Sequence, residues 1–122
     1  MTPAILLVDD DLVMLDTLKD VLEEGALQVQ TASKIGEALA LLEQNAFQLM
    51  ITDFNLPDGL GVDLAGKARG LYPNLGILLM TGNAELKLEP QGLGRDIDSY
   101  LVKPVDPAHL IKTIHEILGK KR

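Results

Sequence analysis

Apolar runs of strand length alternate five times with segments in which apolar residues recur every three or four positions. The runs cover residues 5–8, 27–31, 49–52, 77–80 and 100–102. Strands that alternate with helices in this way pair in parallel, and the helices cover both faces of the sheet. The sequence therefore predicts a single α/β domain over residues 1–122, with a doubly wound parallel sheet of five strands.

The helical segments have recognisable ends. Gly25 is a plausible stop for the first helix, and Pro73 closes a third helix over about 61–72. Asp106 and Pro107 are suited to the N-cap and first position of the last helix, because Pro lacks only an N–H that would be unpaired there. We expect these helices on both faces of the sheet.

The fourth helix is the weakest prediction of the series. It should occupy residues 84–95, but Pro90, Gly92 and Gly94 all oppose helix formation. We therefore predict that this fourth helix is short or irregular.

The second strand indicates the order of the sheet. Its apolar residues alternate with Gln28 and Gln30, which is typical of a half-exposed edge strand, whereas residues 5–8 are continuously aliphatic. An edge position for the second strand favours the order 2-1-3-4-5. That order makes the first and third strands neighbours, and the crevice at their carboxyl ends is the expected site.

Composition excludes several kinds of function. The formal net charge of −7 argues against nucleic-acid binding, which needs clustered Lys and Arg, and the absence of Cys excludes disulfides and thiolate metal sites. No apolar run approaches the ~20 residues of a membrane span. A cytoplasmic location without membrane contact is the resulting expectation.

Four carboxylates follow the first and third strands. Asp9, Asp10 and Asp11 come directly after residues 5–8, and Asp53 ends the third strand. Asp11 is expected to cap the first helix, which leaves Asp9 and Asp10 to face Asp53. Several carboxylates so close together repel one another, and an oxygen-only cluster suits a hard divalent ion, most naturally Mg²⁺.

Thr81 and Lys103 end the fourth and fifth strands at the same sheet edge. Either residue alone would be an ordinary loop or solvated side chain. Beside a metal–carboxylate centre, however, a hydroxyl donor and a fixed cation are what a transferred phosphoryl group requires. A carboxylate such as Asp53 can itself be the nucleophile, which gives an aspartyl phosphate.

Four motifs together resemble the receiver domain of bacterial two-component response regulators. They are Leu-Leu-Val-Asp-Asp-Asp, Met-Ile-Thr-Asp-Phe-Asn-Leu-Pro-Asp-Gly, Leu-Leu-Met-Thr-Gly and Tyr-Leu-Val-Lys-Pro. The resemblance runs from about residue 4 to 118. It implies a flavodoxin-like (βα)5 fold, and it departs from the family where a Gly-Ala pair is usual, since Asp96 and Ile97 stand at the matching positions.

The resemblance also implies roles for single residues. Asp53 would accept phosphate, while Asp10, Asp9 (through water) and the Asn55 backbone carbonyl would join it in holding Mg²⁺. Lys103 would pair with the phosphoryl oxygens, and the bond between it and the following proline would be cis.

A change at the surface would follow phosphorylation. Thr81 would move to the phosphoryl group and Tyr100 would turn inward, which switches the surface formed by the fourth helix, the fifth strand and the fifth helix. The phosphoryl donor would be a sensor histidine kinase or a histidine phosphotransfer protein, and an output domain or protein would respond. Such a domain is not an enzyme, because it assists only its own phosphorylation and dephosphorylation.

Two alternatives remain open from the sequence. The segment 9–13 with Thr81 and Lys103 also resembles haloacid-dehalogenase-type phosphatases, but these need a downstream acidic pair, and only Asp106 and Glu116 follow Lys103. The second alternative is a pseudo-receiver that binds partners without being phosphorylated.

Overall fold

The apolar runs form one parallel sheet of five strands. The structure is a computed structural model that describes residues 3–82 and 96–120. Its elements are β1 (Ala4–Val8), α1 (Leu12–Glu24), β2 (Gln28–Ala32), α2 (Ile35–Gln44), β3 (Leu49–Asp53), β4 (Asn55–Leu56), β5 (Gly59–Leu60), α3 (Gly61–Leu71), β6 (Gly76–Thr81), β7 (Ser99–Val102) and α4 (Pro107–Lys120). The order β2-β1-β3-β6-β7 confirms the predicted order, with β6 and β7 as the predicted fourth and fifth strands. The predicted fourth helix at 84–95 lies outside the described residues.

The core has two layers because side chains alternate across the sheet. Ile5 and Leu7 of β1 point to the face covered by α1 and α4, whereas Leu6 and Val8 point to the face covered by α2 and α3. Strands β1, β3 and β6 lie inside the sheet with helices on both sides, which explains their continuous aliphatic sequence. The edge strand β2 exposes Gln28 and Gln30, as its alternation predicts.

A small hairpin follows β3 that the sequence did not predict. Strands β4 and β5 pair antiparallel, with Asn55 opposite Leu60 and Leu56 opposite Gly59. Only two residues, Pro57 and Asp58, connect the strands. The segment directly after Asp53 is therefore an ordered turn.

Side-chain caps fix the starts of two helices as predicted. The Asp11 carboxylate accepts a hydrogen bond from the Met14 amide (3.1 Å), and the Asp106 carboxylate accepts one from the Ala108 amide (3.2 Å). These bonds satisfy amide groups that have no partner within the helix.

The end of α1 is a Schellman motif with an unusual residue in its left-handed position. Gly25 ends the helix, as predicted, but its φ is −83°, and the residue with positive φ is Ala26 at 65°. The Ala26 amide bonds the Glu23 carbonyl, and the Leu27 amide bonds the Leu22 carbonyl. Glycine normally holds this position because a Cβ atom is strained there.

Among the described residues, no helix has both the length and the apolar content needed to cross a membrane.

We expect Ala26→Gly to increase the free energy of unfolding by about 0.5–1 kcal/mol, because it relieves the strain of a left-handed alanine. Chemical denaturation would measure the change. Ala40→Gly, at an exposed position within α2, is the matched control and should destabilise by about 1 kcal/mol. A loss of stability in both variants would contradict the assigned strain.

Candidate functional site

The carboxyl ends of four parallel strands meet at one edge of the sheet. Val8 at the end of β1 lies opposite Thr52, and Asp53 at the end of β3 lies opposite Met80. The Lys103 amide donates to the Thr81 carbonyl (2.7 Å), which holds the end of β7 against the end of β6. This arrangement follows from the strand order and brings the predicted polar residues together.

Lys103 joins the carboxylates of two other strands. Its Nζ lies 2.7 Å from Asp9 Oδ2 and 3.3 Å from Asp53 Oδ1. Asp9 is completely buried, and Asp53 is only 8% exposed. Ion pairs in such surroundings are screened far less by solvent than pairs on a surface.

A third carboxylate brings excess negative charge to this cluster. Carboxylate oxygens of Asp9, Asp10 and Asp53 all lie within 4.8 Å of one another, and Asp10 is exposed to solvent. Three carboxylates and one ammonium leave a formal charge of −2. Oxygen donors at this spacing suit Mg²⁺, so the residues fit the ion that the acidic pattern predicts.

The surroundings of Asp53 disfavour its charged form. Burial raises the pKa of its carboxyl, and the negative charge of Asp9 raises it further. The Lys103 ammonium lowers the pKa but does not compensate for both effects. Asp53 thus lacks sufficient positive charge nearby.

The surroundings of Lys103, in contrast, favour its charged form. Burial alone would lower the pKa of its ammonium, but the hydrogen bond and charge of Asp9, together with Asp53, outweigh burial and raise the pKa. The side chain is therefore a permanent cation, which is the form that can bind phosphoryl oxygens.

The remaining predicted residues lie around this cluster. Asn55 begins the β4–β5 hairpin directly beyond Asp53, and Thr81 is almost completely buried at the end of β6. Tyr100 lies on β7 with 40% of its surface exposed. The bond between Lys103 and Pro104 is cis, as the resemblance implied.

Two residues near the site were missed by the sequence analysis. Asp58 accepts hydrogen bonds from the Ile35 amide (Oδ1, 2.8 Å) and the Gly36 amide (Oδ2, 3.0 Å) at the start of α2. Gly61 lies so close to the Asp53 backbone that an added Cβ would be 2.0 Å from its carbonyl oxygen. One signal for Asp58 was that Lys34, at the N-cap of α2, makes no capping hydrogen bond with its own side chain. The first amides of α2 therefore need an acceptor from another part of the chain.

Comparison with known proteins shows one consistent similarity. The family model described as the response regulator receiver domain matches residues 5–115. The response regulator protein FleR of Pseudomonas aeruginosa is 32% identical over 114 residues, which are 93% of this chain and 24% of FleR. The aerobic respiration control protein ArcA of Escherichia coli is 32% identical over 119 residues, which are 98% of this chain and 50% of ArcA.

A crystal structure shows the same similarity in three dimensions. The CheY-like response regulator receiver domain protein of Methanospirillum hungatei matches with a TM-score of 0.90 and 36% identity, over 99% of this chain and 97% of that one. The chain thus corresponds to nearly the full length of this structure but to only about a quarter of FleR and half of ArcA.

We expect Asp53→Asn to raise the melting temperature at pH 7 without divalent cations. Because folding raises the pKa of Asp53, its ionised form destabilises the fold above that pKa, and this cost disappears as the pH falls through it. The difference between the two proteins should therefore shrink towards pH 4 in thermal denaturation followed by circular dichroism.

Asp20→Asn is the control for this prediction, because it removes one negative charge from an exposed position on α1. An equal gain in both variants would mean that overall charge, rather than the surroundings of Asp53, causes the effect.

Proposed function

The chain belongs to the response regulator receiver domain family, and on that basis we propose that Asp53 is the phosphoacceptor of this receiver. Family membership makes it a component of two-component signalling. The observation that carries the assignment to Asp53 is the contact of one ammonium with two buried carboxylates, of which only Asp53 ends the central strand β3.

The proposed reaction moves a phosphoryl group from a histidine to Asp53. A carboxylate oxygen of Asp53 attacks phosphorus, an O–P bond forms, and the N–P bond breaks so that the electron pair returns to the imidazole. In the later hydrolysis, water attacks phosphorus, the O–P bond to Asp53 breaks, and inorganic phosphate leaves while the carboxylate is restored. The domain assists only these steps on its own side chain, so it is a phosphoacceptor rather than an enzyme that turns over a separate substrate.

Positive charge supports the transfer from two sides. Asp9, Asp10, Asp53 and the Asn55 carbonyl would hold Mg²⁺, which supplies charge neutralisation at the phosphoryl oxygens. Lys103 already lies 3.3 Å from Asp53 Oδ1, so its ammonium can bind an incoming phosphoryl oxygen with little rearrangement.

Thr81 and Tyr100 are the proposed switch residues. Thr81 follows Met80, the residue paired with Asp53, and its hydroxyl would move to hydrogen-bond the phosphoryl group. Tyr100 is 40% exposed in the structure and would turn inward, which changes the surface near β7 and α4. The predicted fourth helix at residues 84–95, which is not the helix labelled α4, would also belong to this surface. Its residues lie outside the described ranges.

The proposed partners are a sensor histidine kinase or a histidine phosphotransfer protein as donor, and an output domain or protein as recipient of the signal. FleR and ArcA both extend beyond the region that is similar to this chain.

Acetyl phosphate with Mg²⁺ should add one phosphoryl group to the wild-type protein, because a small phosphodonor needs no recognition by a kinase. Intact-protein mass spectrometry would measure the addition, and Asp53→Asn should abolish it. An unmodified wild-type protein would favour the pseudo-receiver instead, and sustained turnover of phosphomonoesters would favour the phosphatase.

Lys103→Ala should slow this phosphorylation by about 100-fold, because it removes a fixed positive charge from the position where negative charge develops. The same time course by mass spectrometry would measure the rate. Lys112→Ala, which removes an exposed Lys from α4, should leave the rate unchanged. Equal rates for both variants would exclude the proposed role of Lys103.

A further inference from the structure

The hairpin after Asp53 is fixed at its base and at its tip. At the base, the Phe54 amide donates to the Met80 carbonyl (2.7 Å), and the Gly61 amide donates to the Phe54 carbonyl (2.7 Å). At the tip, both carboxylate oxygens of Asp58 accept from amides of α2. A turn of two residues leaves little freedom between these anchors.

Apolar contact adds to the anchor at the tip. Leu56 is buried in the same core cluster as Ile35, the first residue of α2. Gly59 has a φ of +151°, and a Cβ atom there would lie 2.8 Å from Ile35 Cδ1. The hairpin therefore lies directly against the start of α2.

The chain just before α2 also holds Asp9, on the opposite side of the site from the hairpin. The Asp9 amide donates to the Ala32 carbonyl (3.1 Å), and only two residues separate Ala32 from Ile35. We define residues 32–36 as the β2–α2 junction. Asp9 is bound to one end of this junction, and Asp58 is bound to the other.

We infer that Asp58 is a positioning residue for the metal site: by binding the hairpin to the β2–α2 junction, it fixes the Asn55 carbonyl relative to Asp9. A backbone ligand cannot adjust by a change of rotamer, so its position depends on the loop that carries it. The inference rests on the proposed function, because it takes Asn55 as a ligand of Mg²⁺.

The interaction of Asp58 also stabilises the start of α2. The hydrogen bonds from Ile35 and Gly36 lower the pKa of the Asp58 carboxyl, as expected for an anion at a helix N-terminus. A test must therefore separate positioning of the ligands from capping of the helix and from loss of negative charge.

Glu37→Ala is a matched control for both effects. The Glu37 carboxylate accepts from the Ser33 amide (2.8 Å) and the Ser33 hydroxyl (2.5 Å) at the same end of α2, and both bonds lie within residues 33–37. Both Asp58→Ala and Glu37→Ala remove one negative charge and two hydrogen bonds at the start of α2. Only Asp58→Ala releases the tip of the hairpin.

The experiment compares Mg²⁺ affinity by isothermal titration calorimetry, at a temperature at which every variant is folded by circular dichroism. We expect Asp58→Ala to raise the dissociation constant by about 10-fold, the lower end of the effect of losing a supporting interaction. Asp58→Asn keeps one acceptor oxygen and should give an intermediate value. Glu37→Ala should stay within about 2-fold of wild type.

Amide hydrogen exchange provides a readout without metal. Exchange at Asn55 and Leu60, the paired residues of the hairpin, should become faster in Asp58→Ala and not in Glu37→Ala. Suppose that wild type binds Mg²⁺ but Asp58→Ala and Glu37→Ala weaken binding equally, or that Asp58→Asn and Asp58→Ala have the same affinity. In either case the positioning role is wrong while the proposed function stands. A wild-type protein that neither binds Mg²⁺ nor accepts phosphate would overturn both.

Discussion

The contact of Lys103 with Asp9 and Asp53 is the interaction around which the sheet edge is arranged. It joins residues at the carboxyl ends of three different strands, at distances of 2.7 and 3.3 Å. With Asp10 nearby, the cluster has more negative than positive charge. Burial of the Asp53 carboxyl, followed by the negative charge of Asp9, raises the pKa of Asp53. A site with this imbalance favours ligands that bring positive charge, and a phosphoryl group can enter once that charge is present.

The aliphatic core makes such a cluster possible. Strands β1, β3 and β6 are covered by helices on both sides, so their carboxyl ends have little freedom to separate when like charges repel. The β4–β5 hairpin extends this rigidity beyond β3, because its base is bound to β6 and its tip to α2. The packing of the helices and the hairpin around the site thus holds the carboxylates in place against their mutual repulsion.

Much of this arrangement was predictable because it follows from short patterns. The polar Gln28 and Gln30 predicted that β2 lies at the edge of the sheet. The strand order that follows makes β1 and β3 neighbours, which brings Asp9 and Asp53 together. The bond of Asp58 to Ile35 was not predictable in the same way, since the partners are 23 positions apart and nothing local pairs them. The left-handed Ala26 was missed because the neighbouring Gly25 is the residue normally found in that conformation.

Calorimetric titration with Mg²⁺ of the wild-type protein and Asp10→Asn tests the central claim most directly. Asp10 is exposed, so its substitution should leave the fold intact while removing one of the three carboxylates. We expect one ion per wild-type chain and at least about 10-fold weaker binding by Asp10→Asn, with Asp16→Asn on the exposed side of α1 as the charge control. Equal affinities in wild type and Asp10→Asn would show that the cluster does not hold the ion.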